Sequence, residues 1–284
     1  MNSGFRVVVT ERNTTKVKAY VLAIALQMLV VPLVFAIGLS SPNYPSFFPI
    51  GAVLGGLLFG ASMKWAGGCA AGVWYKVGAG SLGALAAILG MAIGATLLEL
   101  GPLAGFRAAV QSLGPQVGSA PLGGMWAWAP VAGLILVLLL MRAAPGTAGD
   151  WSWHRTGLLI GLVGAVAWPM SSFAARDFGM AVVPGTVELL AEPLVRLVTW
   201  DVFFVLGIPV GAFVAARQAG PVSLSKASWK DACQRFAGGL GLGVGASIAG
   251  GCTVGHGLTG VPLLAPGSIV AIIAIFAGSA LTSR

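Results

Sequence analysis

The sequence predicts an all-α, polytopic membrane protein, and three observations support this fold class. The chain of 284 residues is 57% hydrophobic, and its mean hydropathy is +0.92. Only 8% of the residues are charged, whereas soluble domains carry about 25%, so the folded chain could not cover itself with a hydrated surface. Apolar runs of bilayer-crossing length recur along the whole sequence.

Eight apolar segments are candidate spans. The first is too long for the core of a signal peptide and lacks a small-residue cleavage site, so we expect it to remain as the first helix. Two others, Pro49–Met63 and Phe236–Ala249, are shorter than the roughly 20 residues that a crossing needs and are interpreted as half-spans. The eight segments are Val17–Leu39, Pro49–Met63, Ser81–Leu100, Leu122–Met141, Gly157–Met170, Trp200–Ala216, Phe236–Ala249 and Ser268–Leu281.

The basic residues predict how the protein is oriented in the lipid bilayer. Arg6, Arg12, Lys16 and Lys18 precede the first span, which favours a cytoplasmic N-terminus because short basic segments stay on that side. The net charge of +8 is spread thinly over the span ends. It therefore does not indicate a surface that binds nucleic acid.

The remaining segments indicate one transmembrane domain over residues 1–284. Pro102–Gly114 and Pro184–Val198 are expected to form short helices at the membrane interface. No linker or change of composition separates a soluble domain from the apolar segments.

A seven-residue motif occurs twice in the chain. Ala66–Gly72 reads AGGCAAG and Ala249–Gly255 reads AGGCTVG. Each copy follows a Gly-Ala-Ser triplet and precedes a Gly-Ser pair that opens a further apolar segment. If the eight segments alternate in direction, the chain enters the membrane from the outer side at the first copy of the motif and from the cytoplasmic side at the second. We therefore expect an inverted repeat with halves at about 47–141 and 157–284 and with broken, re-entrant half-helices at the centre.

The residue types of the motif indicate an anion site. Gly67-Gly68 and Gly250-Gly251 permit backbone angles that other residues avoid, and a helix broken there leaves N–H groups unpaired. In a bilayer such groups are tolerated only beside a polar cavity or inside the protein. Cys69 and Cys252 add polarisable thiols, which suit a sulfur-containing anion better than the hard cations that carboxylates bind.

Residues near the motif have less specific explanations. His256 is interpreted either as a hydrogen-bonding residue of a pore or as a satisfied buried imidazole. A structural zinc ion needs four ligands, and the other candidates are scattered, so we expect neither a metal nor a cofactor. Lys64 and Lys76 bracket the first cysteine and either reach the interface or attract an anion. Cys233 lies in a charged segment and is interpreted as an incidental thiol.

These residues resemble a known family. The doubled GAS…AGGCxxG pattern at Gly60–Gly72 and Gly245–Gly255, together with WDVFFVLGIPVGAFVAA at Trp200–Ala216, is similar to the YeeE/YedE membrane family. The resemblance runs from about residue 47 to the end of the chain. It implies a multi-pass bacterial inner-membrane protein of about nine helices, with short helices that point inward from both sides.

The resemblance also implies a function and a partner. The best understood members of the family take up thiosulfate, and their cysteines line a narrow path and relay the anion through transient S–H hydrogen bonds. Cys69 and Cys252 match the two motif cysteines, whereas a further central cysteine has no secure counterpart, since Cys233 lies before the second motif. Some relatives are linked to selenium, so selenium compounds remain alternative substrates. A small cytoplasmic sulfur-carrier protein is implied as a partner.

Three functional hypotheses follow. The first is a permease, and not an enzyme, that imports thiosulfate or a related small sulfur-containing anion between Cys69 and Cys252. The second is a membrane sulfurtransferase that holds a persulfide on one of these cysteines, which requires a thiolate beside a cation such as Lys64 or His256. The third is a subunit that anchors a sulfur-carrier partner.

Overall fold

The computed structural model describes residues 2–44, 47–114, 124–147, 151–192 and 198–283. Over these ranges the chain forms twelve α-helices and no β-strand, so the predicted all-α fold class is confirmed. The helices are α1 (Asn2–Glu11), α2 (Thr15–Ala36), α3 (Pro49–Ala66), α4 (Ala70–Gly78), α5 (Gly83–Glu99), α6 (Ala104–Gln111), α7 (Ala129–Met141), α8 (Trp153–Phe173), α9 (Val183–Ala191), α10 (Trp200–Ala219), α11 (Trp229–Ala249) and α12 (Pro266–Leu281).

Several of these helices can cross a bilayer. In the described part of the chain, four helical segments are long and apolar enough: Thr15–Ala36, Pro49–Gly78, Trp153–Phe173 and Trp200–Ala219. A fifth is added if α5 and α6, which are bent by 74° at their junction, count as one span. Met125–Met141 and Pro266–Leu281 are apolar but shorter. The protein is therefore a multi-pass membrane protein.

The two predicted half-spans are longer than expected. α3 has 18 residues and α11 has 21, and the short elements instead follow the two motifs: α4, with nine residues, and a six-residue π-helix at Gly255–Gly260. Hydropathy missed the start of α11 because this part of the helix is polar. Ser228 is the N-cap residue that marks the start of α11, since its Oγ accepts a hydrogen bond from the backbone N–H of Asp231 over 3.2 Å.

The N-terminal helix α1 was not predicted, because ten mixed polar and apolar residues carry no span signal. It is held by Phe5, which is buried. The Phe5 ring packs edge-on against Phe276 of α12, with ring centroids 5.3 Å apart, and against Tyr20 of α2. α1 is thereby fixed to the ends of two long helices.

Glycine contacts set the direction of the two helices that precede the motifs. α3 packs against α11, and a Cβ added at Gly55 would collide with the backbone of Ala249. At the other end of the pair, a Cβ at Gly238 would collide with the backbone of Ala66. The start of α3 therefore meets the end of α11, and the two helices are antiparallel.

Two further helices complete a row in the order α12, α3, α11, α5. Gly56 faces Ala271 and Gly60 faces Ser279, so α12 runs parallel to α3. On the other side of the row, Gly90 faces Phe236 and Gly94 faces Leu240, so α5 runs parallel to α11. A second group, α2, α7 and α8, packs beside this row.

The two ends of the helix bundle differ in charge. One end, which we call the basic end, contains the starts of α2, α5, α8 and α11 and the final residues of α3, α7, α10 and α12. We call the opposite end the far end; it contains Glu99, Glu188 and Asp201. The basic residues at the basic end are Arg6, Arg12, Lys16, Lys18, Lys64, Lys76, Arg142, Arg155, Arg217, Lys226, Lys230 and Arg235.

Replacement of Gly55 by alanine tests the antiparallel packing. The added Cβ has no room against α11, so we expect Gly55→Ala to lower the free energy of unfolding by about 1–3 kcal/mol. Gly207→Ala on α10 is the matched control, since its added Cβ would meet nothing within 4 Å, and it should leave stability unchanged or slightly higher. Thermal unfolding of the protein in detergent measures both. Equal midpoints for the two variants would contradict the packing described here.

Candidate functional site

Each motif begins with a left-handed turn. α3 ends at Gly67, with φ at +79°, and α11 ends at Gly250, with φ at +83°. Residues with a Cβ rarely adopt this conformation, which explains the glycine at both positions. At the second turn, the N–H of Gly251 donates to the carbonyl of Ala246 over 2.8 Å, the bond that closes a Schellman motif.

Each motif cysteine lies at the start of the short helix that follows the turn. The carbonyl of Cys69 accepts the N–H of Val73 over 3.0 Å, and the carbonyl of Cys252 accepts the N–H of His256 over 2.9 Å. Both thiols are buried and belong to one apolar cluster. The two copies of the motif thus bring their cysteines into the same part of the protein interior.

Backbone N–H groups surround both sulfur atoms. The N–H of Gly72 faces the sulfur of Cys69. Gly255 and Val182 direct their N–H groups at the sulfur of Cys252. These groups lie at helix starts and in an irregular segment, so they can interact with an electron-rich group beside the thiols.

The eight predicted site residues line two cavities. Lys64, Gly67, Gly68 and Cys69 line a large cavity of about 1140 Å³ on the side of the basic end. The small cavity, of about 50 Å³, has room for a few water molecules. It is lined by Gly250, Gly251, Cys252 and His256. The structure therefore divides the predicted residues equally, one motif to each cavity.

The two cavities are separated by a thin partition made from two chain segments. Met180 and Thr253 line the large cavity, whereas their chain neighbours Ala181 and Cys252 line the small one. The hydroxyl of Thr259 holds the first segment by donating to the carbonyl of Met180 over 2.7 Å.

The large cavity has a positive lining. Arg6, Lys64 and Lys76 line it, and Glu11 is the one acidic residue among the described residues that do so. Lys64 is exposed. Lys76 donates to the carbonyl of Gly67 and so satisfies a carbonyl at the end of α3.

His256 is a buried imidazole whose two ring nitrogens both have hydrogen-bond partners. Its ring lines the small cavity and is buried. Nε2 lies 3.2 Å from the carbonyl of Ala249 and therefore carries the proton, while Nδ1 lies 3.0 Å from Ser268 Oγ and accepts from it. Both ring nitrogens are thus engaged. In the described ranges no group of three or more His, Cys, Asp or Glu side chains is arranged to hold a metal.

An ion pair anchors the partition. The Nε of Arg176 lies 2.5 Å from Asp201 Oδ2, and Nη1 of the same guanidinium donates to the carbonyls of Phe178 and Gly179 over 3.0 and 3.3 Å. Burial lowers the pKa of Arg176, and the Asp201 carboxylate opposes this shift. Arg176 therefore fixes the chain just before Met180, where the partition begins.

Cys233 is separate from both cavities. It lies on α11, not in the charged loop that we expected, and it is exposed.

Three residues that line the large cavity were not predicted from the sequence: Tyr20, Thr253 and Met180. One signal for Thr253 was present: the residue after the cysteine is alanine in the first copy of the motif and threonine in the second.

The fold and the paired cavities define a membrane transport protein, and the sequence comparisons identify its family. The profile of the sulphur transport family matches residues 1–281. The chain belongs to this family, and the resemblance to YeeE/YedE proteins is thereby confirmed.

Two relatives have curated names. The thiosulfate transporter TsuA of Escherichia coli (strain K12) is 30% identical over 283 residues, which cover 91% of this chain and 80% of that protein. The thiosulfate transporter TsuA of Spirochaeta thermophila is 32% identical over 301 residues, with coverage of 98% and 90%. The similarity therefore extends over nearly the whole transmembrane domain.

Removal of Arg176 tests the anchor of the partition. Arg176→Met leaves the buried Asp201 carboxylate without its counter-charge, so we expect the free energy of unfolding to fall by about 3 kcal/mol. The double variant with Asp201→Asn should recover part of this loss. Arg217→Met, at an exposed position near the end of α10, is the control and should change stability by less than about 0.5 kcal/mol. Thermal unfolding in detergent distinguishes them, and equal losses in both arginine variants would exclude a special role for Arg176.

Proposed function

We propose that this protein imports thiosulfate, or a closely related small sulfur-containing anion, across the bacterial inner membrane. The observation that carries the proposal is the placement of the two buried motif cysteines, since Cys69 lines the large cavity and Cys252 lines the small one. Both curated relatives are named thiosulfate transporters. A passage between the cavities would bring the anion into contact with the two thiols in turn.

The chemistry of the partition suits a weakly held anion. Neutral thiols are weak hydrogen-bond donors, and the N–H groups of Gly72 and Gly255 beside them are already directed at the sulfur atoms. A site that releases its ion must bind without a deep energy minimum. Cys252 would receive the anion from the small cavity, and Cys69 would pass it to the large one.

Electrostatics favours the presence of an anion in the large cavity. Arg6, Lys64 and Lys76 give its lining a positive balance against Glu11. A cavity lined mainly by one sign of charge raises the local concentration of ions of the opposite sign. Lys64 therefore acts as an attracting charge at the mouth of the cavity.

The distribution of charge also supports a direction of transport. Basic residues at the ends of spans mark the cytoplasmic side, so the basic end, with α1, would face the cytoplasm. The large cavity would then open to the cytoplasm and the small cavity to the outside. The antiparallel packing of α3 and α11 supports an inverted repeat with halves at about 47–141 and 157–284.

A small cytoplasmic sulfur-carrier protein would receive the anion at the basic end.

The alternatives to thiosulfate import are a persulfide-forming sulfurtransferase and a transporter of selenium compounds. A persulfide mechanism needs a cation that stabilises a thiolate. Lys76 donates to the carbonyl of Gly67, and the His256 ring is occupied by Ala249 and Ser268. The names of the two relatives favour transport of the anion over sulfur transfer.

Alanine substitution of the motif cysteines tests the proposal. We expect Cys69→Ala and Cys252→Ala to reduce uptake of ³⁵S-thiosulfate into proteoliposomes at least about tenfold, because each removes a donor from the path. Cys233→Ala is the matched control, since that thiol is exposed on α11 and lines neither cavity.

Size-exclusion profiles establish that the variants are folded. Full uptake by the double variant Cys69→Ala/Cys252→Ala would rule out the thiol path. Uptake of labelled selenium oxyanions in preference to thiosulfate would reassign the substrate, and a sulfur adduct that appears on either cysteine during turnover would favour the sulfurtransferase.

A further inference from the structure

We propose that the hydroxyl of Thr253 recognises the oxygen-bearing end of the transported anion at the partition. This inference rests on the proposed function, since it assigns a residue of the same path. It concerns a group outside the cysteine pair and predicts which kinds of anion the path accepts.

The Thr253 side chain is buried, and its hydroxyl faces the sulfur of Cys69. It is 0% exposed, yet it lines the large cavity. Its Oγ1 makes no hydrogen bond of regular geometry within the described part of the chain. Buried hydroxyl groups nearly always have a well-formed partner, and a thiol sulfur is a weak acceptor, so a hydroxyl placed in this way against a cavity points to a ligand that is a better acceptor.

Other donors converge on the same place. The Thr253 hydroxyl is directed as a donor at the sulfur of Cys69, a weak acceptor. The N–H of Gly72, in the first turn of α4, faces that sulfur as well. The first turn of a helix carries a partial positive charge. An anion at this position would therefore meet a hydroxyl, a thiol and a helix start together.

Tyr20 holds Thr253 in position. Its phenol donates to the Thr253 carbonyl over 2.5 Å, in the protein interior. The phenol occupies the space above Gly257, where an added Cβ would collide with the Tyr20 oxygen. Tyr20 is thus a positioning residue that fixes the backbone from which the Thr253 hydroxyl projects.

The chemistry of thiosulfate explains why two types of donor are useful. The ion has a terminal sulfur at one end and three oxygen atoms at the other, and oxygen is the stronger acceptor for an O–H group. Thiols at Cys69 and Cys252 suit the sulfur end, and Thr253 suits the oxygen end. The corresponding residue of the first motif is Ala70, so only the second motif places a hydroxyl directly after its cysteine, and this difference gives the anion a preferred orientation.

Conservative variants test this assignment. Thr253→Val keeps the shape of the side chain and removes the hydroxyl, so we expect the KM of ³⁵S-thiosulfate uptake into proteoliposomes to rise about tenfold to a hundredfold. Thr253→Ser keeps the hydroxyl and should stay within about threefold of the wild type. Tyr20→Phe, which retains the ring against Phe5, should produce a smaller rise than Thr253→Val. Thr96→Val is the matched control, because Thr96 has a buried unpartnered hydroxyl and lines neither cavity.

Competing anions show which end of the substrate the hydroxyl recognises. In Thr253→Val, inhibition of uptake by sulfite, which has oxygen atoms, should weaken as much as thiosulfate affinity does. Inhibition by hydrosulfide, which has none, should stay at its wild-type level. Equal loss for both competitors, an unchanged KM in Thr253→Val, or a Thr253→Ser variant as impaired as Thr253→Val would overturn the assignment.

Binding of thiosulfate to the purified protein in detergent separates this inference from the proposed function. If the wild type binds thiosulfate but does not transport it, and Thr253→Val binds more weakly, the transport proposal fails and the role of Thr253 stands. If both proteins bind and transport equally well, the role of Thr253 fails alone. If the wild type neither binds nor transports thiosulfate, both are overturned.

Discussion

The rest of the structure depends on one constraint: a chain whose helices break inside a bilayer must keep the freed backbone polar groups away from lipid. Left-handed turns at Gly67 and Gly250 end α3 and α11. Because α3 and α11 are antiparallel, the two turns occur at opposite ends of the same helix pair. Each turn is followed by a short helix with a buried cysteine at its start. The buried thiols are therefore a geometric consequence of two turns and one antiparallel contact.

The two cavities differ in size and charge because different residues surround the two turns. The turn after α3 lies near Lys64, Lys76 and the N-terminal helix, and the cavity beside it is large and positively lined. The turn after α11 lies against Val182 and His256, whose ring is held by hydrogen bonds at both nitrogens, and the cavity beside it is small. The large cavity therefore offers an anion the more favourable electrostatic environment, and the small cavity offers it the least space.

The sequence predicted those features that depend on composition or on repeated residue types. Apolar content identified the membrane fold, and the repeated Gly-Gly-Cys frame located both turns and both buried cysteines before any coordinates. Hydropathy failed where a membrane helix begins with polar residues, as at the start of α11, and where a short helix depends on one buried ring, as at Phe5. Tyr20 carried no signal because a tyrosine in an apolar run looks like any other core residue. Its role depends on a contact with Thr253, which is distant in sequence.

The difference between the two copies of the motif is as informative as their similarity. What the copies share is the turn and the thiol. What they do not share is the residue after the cysteine, where Ala70 stands against Thr253. In the proposed path, a hydroxyl in one copy only would make the two orientations of an anion with unlike ends unequal in energy. Tyr20 holds the Thr253 carbonyl and so fixes the backbone that carries this hydroxyl, and the proposed directional site would then depend on one difference between the copies and one contact that positions it.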